Sequence, residues 1–189
     1  MNDLEQRELG GITRLGNALL TWQKDLGPGL DASFSAVMML IREIDAAAAK
    51  AEAAGQSPEA VRTALVDALE ARLATGPEIL PRVKTEKAAR VVKLGADKAA
   101  SQMSYDLKTL ELMVAEFPAW YAEVGIGGFF NSLRLILRIF DENFQAAIAD
   151  GAEFGAVLFV PAFEIRRSMG KVPPELLEAL EIYDNETPA

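Results

Sequence analysis

Apolar residues recur every three or four positions along most of the chain, which is a helical period, and glycine and proline punctuate it. Leu9, Ile12, Gly16, Leu19, Gln23 and Leu26 share one face of a first helix expected over 3–26. Gly10 and Gly11 cost stability in its early turns. Gly27-Pro28-Gly29 stops it. Asp31 or Ser33 offers a cap for a second helix, whose inward stripe is Phe34, Val37, Met38, Ile41, Ile44 and Ala48, and Gly55 ends it. Ser57-Pro58 combines a capping hydroxyl with a proline at the first helical position. The third helix then presents Val61, Leu65, Ala68, Leu69 and Leu73 and stops at Gly76-Pro77, with Pro81 closing a short linker.

A fourth helix is expected over 83–117, with Ala88, Val92, Ala99, Met103, Leu110, Val114 and Phe117 on its inner face. Pro118 predicts a new segment carrying Trp120 and Tyr121, followed by a glycine-rich turn over 125–128. The fifth helix, about 129–150, is apolar on most of its circumference, which predicts a position in the middle of a bundle or against a partner. A sixth helix over 154–169 is kinked at Pro161, although Val157 to Val160 also reads as a short buried strand. A last amphipathic helix starts at Pro173-Pro174 and reaches Tyr183. The expected fold is therefore all-α: a single-domain bundle of about six or seven helices over 1–184, with a very hydrophobic central helix at about 129–150 and a frayed tail over 185–189.

Composition removes several chemistries from this frame. The 189 residues contain no histidine and no cysteine, hence neither the commonest general base and metal ligand nor a thiol nucleophile. Disulfides are excluded, which fits a reducing compartment, and the polar, acidic N-terminus is no secretory signal; the expected location is cytoplasmic. The apolar run from Phe154 to Phe163 falls far short of the ~20 residues that span a bilayer. Net charge is −9, a field that opposes nucleic-acid binding. The acidity is concentrated in residues 101–189, with six basic and fourteen acidic side chains.

Candidate sites follow from departures from ordinary helical patterning. Arg134 and Arg138 lie one turn apart on an otherwise apolar helix and repel unless an acidic group joins them. Asp106 falls close to the apolar arc of its helix and needs a partner, for which the two arginines are the expected source. Trp120 and Tyr121, ahead of the glycines, suggest an aromatic loop facing a partner. Lys84, Lys87 and Arg90, within a longer basic run, are suited to an acidic partner. Glu175, Glu178, Glu181 and Asp184 recur at i, i+3, a spacing that suits Mg²⁺ but equally a solvated helix face, and no facing acidic pair is found. Gly125 to Gly128 lacks the spacing and the lysine of a phosphate loop.

No nucleophile–base pair and no convergent carboxylate set emerges, so an enzyme is not the favoured expectation and no cofactor or metal is expected. The favoured function is a non-enzymatic helical interaction protein: a subunit, adaptor or assembly factor that binds a protein partner or itself through packed helical faces. One alternative is an acidic inhibitor or decoy for a basic surface. Another is a Mg²⁺-dependent all-helical hydrolase.

Overall fold

A computed structural model describes residues 1–78 and 95–149, together with Ala162, Ile165 and Arg166; of Asn143, Phe144, Ala147 and Ile148 only the backbone is described. All regular structure among the described residues is helical: α1 (Asp3–Leu26), α2 (Asp31–Ala53), α3 (Pro58–Thr75) and α4 (Ala96–Ala149). The helices expected over 154–169 and 173–183, and the first turns of the one expected from 83, lie outside the described residues, apart from the three positions named.

Local signals account for most boundaries. Asn2 and Glu5 form a reciprocal capping box at the start of α1, each side chain accepting from the other's backbone N–H. The Ser57 hydroxyl accepts from the Ala60 N–H at the start of α3, with Pro58 behind it. The start of α2 differs from expectation. Leu30 occupies the cap position with helical backbone angles and no side-chain cap, and the Ser33 hydroxyl instead donates to the Gln23 side chain. A buried bond from another helix has displaced the local capping choice.

The larger departure lies in α4. Pro118 does not end it, and the break expected in the glycine cluster is a single residue. Pro118 sits inside the helix with its ring exposed, where it forgoes one backbone hydrogen bond. Only Gly125 leaves helical geometry, at φ 68° and ψ 178°, and the helix resumes at Ile126. That positive φ is a region glycine enters without steric cost. The two stretches, 96–124 and 126–149, are helical segments that meet directly at the kink, with no intervening loop.

Pair contacts give the topology. Along α4, Asp106 meets Gly29, Val114 meets Gly16 and Tyr121 meets Glu8, so the stretch before Gly125 runs antiparallel to α1. Beyond the kink, Arg134 meets Asp45 and the ring of Phe140 stacks on Phe34 at 5.9 Å, so that stretch runs antiparallel to α2. Helix α3 packs on both α1 and α2, with Arg7 and Arg14 bonded to Glu70 and Arg72 paired to Glu43. The core fills the space between: Ile12, Leu15 and Leu19 from α1, Leu40, Ile41 and Ile44 from α2, Leu69 from α3, and Leu110, Phe117 and Phe129 from α4.

Close approach of α1 and α4 depends on Gly16, since a Cβ there would overlap the Val114 side chain. Gly16→Ala is expected to destabilise by about 1–3 kcal/mol through overpacking. The companion change Val114→Ala should recover part of that loss, because it clears the atoms in the way. Urea unfolding of the single and double variants checks this; a Gly16→Ala protein as stable as the parent would contradict the packing.

Candidate functional site

Three clusters of polar or exposed side chains stand out among the described residues. In the first, the carboxylate of Glu8 is fully buried at the junction of α1, α3 and α4. The sequence places it there: Leu4, Ile12, Leu15 and Leu19 flank it on one helical stripe. A charge so placed is tolerated only when fully bonded. Arg62 of α3 donates to both oxygens, from Nε at 2.7 Å and from a terminal nitrogen at 2.6 Å, and the Tyr121 hydroxyl of α4 donates at 2.8 Å. Burial, then the bond and charge of Glu8, push the Tyr121 hydroxyl up to about 12, so it remains a donor at neutral pH. A cleft of about 600 Å³ opens beside this cluster, lined by Glu5, Glu8, Arg62, Tyr121, Val124 and Gly127. Both Glu8 oxygens are already engaged, an arrangement that holds helices together and leaves no idle base facing the cleft.

The second cluster surrounds Asp106. Its partners are not Arg134 and Arg138. The carboxylate accepts from the backbone N–H of Gly29 at 2.6 Å and from the Gln102 amide at 2.7 Å. Gln23 donates to the carbonyls of Gly27 and Gly29, so the turn after α1 is clamped from both sides. Arg166, also buried, donates to Thr109 at 2.7 Å and lies 4.0 Å over the Tyr105 ring. Burial pushes Asp106 up to about 7, with Asp31 adding to the rise, while the Gly29 and Gln102 bonds and Arg166 oppose it. The group is therefore poised between acid and carboxylate near neutrality, yet it is enclosed by structural partners.

The third cluster is the outward face of α4 beyond the kink. Phe129, Phe130, Leu133, Leu137 and Phe140 face the core. Opposite them, Leu135 and Ile139 are 51% and 43% exposed. The segment expected at the centre of the bundle thus has an open side. Arg134, held by Asp45 and bonded to Asn131 at 3.0 Å, and Arg138, 3.5 Å from Glu142, flank that side. Their charges are met locally, which removes the expected link to Asp106.

Trp120 and Tyr121 are not in an exposed loop. Both are half-buried within α4, and Trp120 joins Phe117 and Phe129 in an aromatic cluster, with Phe117 and Phe129 edge to face at 5.1 Å. Lys84, Lys87 and Arg90, and likewise Glu175, Glu178, Glu181 and Asp184, lie outside the described residues. Among the described residues, no group of three or more acidic side chains is placed to hold a metal ion, and no helix is long and apolar enough to cross a membrane. Reading the sequence alone missed Glu8 and Arg62; the signal for Glu8 was its place within an apolar stripe. Comparison with family models, with curated proteins and with solved structures returned no match.

Two predictions concern the buried carboxylates. Arg62→Ala strands Glu8 without its charge partner and is expected to cost about 3 kcal/mol or more. Glu8→Leu leaves behind an arginine that reaches solvent and a Tyr121 hydroxyl beside the cleft, and should cost less. Urea unfolding of both variants at neutral pH decides this; the reverse order would mean that burial of the Glu8 charge is not the controlling term. For Asp106 the fold favours the protonated form, since its folded pKa lies above the unfolded value of 3.8. Between that value and about 7 the native state binds more protons, so this contribution to stability falls as pH rises and is flat above about 7. Asp106→Asn should therefore flatten the decline of the urea midpoint between pH 5 and pH 8. An unchanged slope would refute it.

Proposed function

We propose that this chain is a non-enzymatic helical interaction protein, a subunit, adaptor or assembly factor, which engages its partner through the outward face of α4 beyond Gly125. The observation that carries this reading is the exposed pair Leu135 and Ile139, one turn apart on a helix whose opposite face is fully packed. Single exposed apolar residues are common on protein surfaces. An aligned pair of large ones, framed by the paired Arg138 and Glu142, is the composition of a small interface with a polar rim.

The other clusters fit the same reading. The Glu8–Arg62–Tyr121 group and the Asp106 group join helices through fully engaged carboxylates. Rigid elements of this kind present a surface without having to reorganise on binding.

An interaction face and a core face respond differently to polar substitution. The double variant Leu135→Gln, Ile139→Gln, compared with the parent at low protein concentration, is expected to keep its thermal midpoint, with a stability change within about 0.5 kcal/mol. Loss of several kcal/mol would show that the chain itself covers this face, and would remove the surface on which the proposal rests.

A further inference from the structure

The cleft beside Glu8 lies apart from the open face of α4. Its rim carries Met1 and Val124, 74% and 48% exposed, the two large exposed apolar residues among the described ones that are not on that face. Its polar lining is one-sided. Glu8 accepts from Arg62 and Tyr121, while Glu5 accepts from the Asn2 N–H and lies 4.0 Å from the terminal amine of Met1, so both carboxylates are committed within the fold. Arg62 is committed only in part. Its Nε and one terminal nitrogen are bonded to Glu8, and among the described residues the other terminal nitrogen makes no hydrogen bond. The side chain lines the cleft and is 42% exposed. A planar guanidinium offers more than one edge to a carboxylate, and a buried carboxylate that holds one edge fixes where the next one points.

We propose that this cleft binds a small organic carboxylate with an apolar body, its head on the unused edge of Arg62 and its body against Val124 and Met1. The size suits such a ligand: about 600 Å³ is the scale of small-molecule sites, which combine apolar walls with a few fixed polar groups. Hydrogen-bond capacity selects the head. The charged group left unspent is a donor, so the ligand must bring the acceptor, and a carboxylate brings two oxygens that match the plane and spacing of a guanidinium edge. The bond to Glu8 raises the Arg62 pKa further, so this charge persists throughout the neutral range. Gly127 keeps the site open. It lies on the cleft wall with nothing within 4 Å of where a Cβ would stand, so no side chain fills the space from that side.

Titration of the full chain with octanoate and with octanol, followed by NMR, tests this. Octanoate is expected to shift the Arg62 side-chain N–H and the backbone amides of residues 122–128 saturably, in the millimolar range that so small a ligand allows. It should bind at least ~10-fold tighter than octanol, which has the same body without the carboxylate. Gly127→Leu puts a side chain into the open space at a position with ordinary helical backbone. That variant should keep its thermal midpoint and lose at least ~10-fold in octanoate affinity, since the leucine takes the room of the ligand body and improves helix propensity. No saturable shift at these positions, or octanol bound as tightly as octanoate, would overturn the proposal. Undiminished octanoate binding by a Gly127→Leu chain of parental midpoint would place the ligand elsewhere and overturn it as well. The comparison of head groups uses the parent chain alone, so it decides the matter even where the variant loses stability. Neither measurement involves Leu135 or Ile139, so its outcome is independent of the interaction face.

Discussion

A carboxylate without access to water sits where α1, α3 and α4 meet, and the arrangement of those helices answers to it. Glu8 cannot be left unbonded at that depth, so α3 must bring Arg62 and α4 must bring Tyr121 to within hydrogen-bond reach. Those bonds fix the rotation of each helix about its own axis, something apolar packing does less strictly. With the rotation set, Gly16 faces Val114 and Gly11 faces Leu69, and α1 is approached closely from both sides. The Asp106 group does the same work at the other end of α1, tying the Gly27-Pro28-Gly29 turn to α4.

The kink at Gly125 turns this local constraint into a surface. Before it, α4 follows α1; beyond it, the same helix follows α2. Phe117 and Trp120 on one side and Phe129 on the other close into a single aromatic cluster across the bend, which holds its direction. The second stretch therefore meets the core along one face only. Leu135 and Ile139, which a central helix would have buried, are left in solvent.

The chain of physical signals from sequence to fold is uneven. Helical period, the Ser57-Pro58 start and the Gly27 and Gly76 stops were legible because each rests on the backbone's own needs within a few residues. Pro118 misled for the same reason: read locally it ends a helix, yet the helix runs through it to Gly125, where the break read from the glycines does fall, and Phe117 packs on Phe129 across that break. The cap of α2 failed likewise, since Ser33 serves Gln23 in a different helix. Site residues were legible as anomalies and not as partnerships. Asp106 was recognisable as a charge on an apolar arc, but its bond to Gly29 spans 77 positions of sequence, and no periodicity encodes it. Arg134 and Arg138 stood out in the same way, while Asp45, the partner of Arg134, lies 89 positions away.

The proposed function depends on α4 having one face closed by its own fold and one face left open. Hydroxyl-radical labelling of the dilute protein, read residue by residue along α4, tests this most directly. Leu110 and Phe117 should resist labelling, while Leu135 and Ile139 should be labelled readily. Leu135 and Ile139 as resistant as Leu110 and Phe117 would contradict the account.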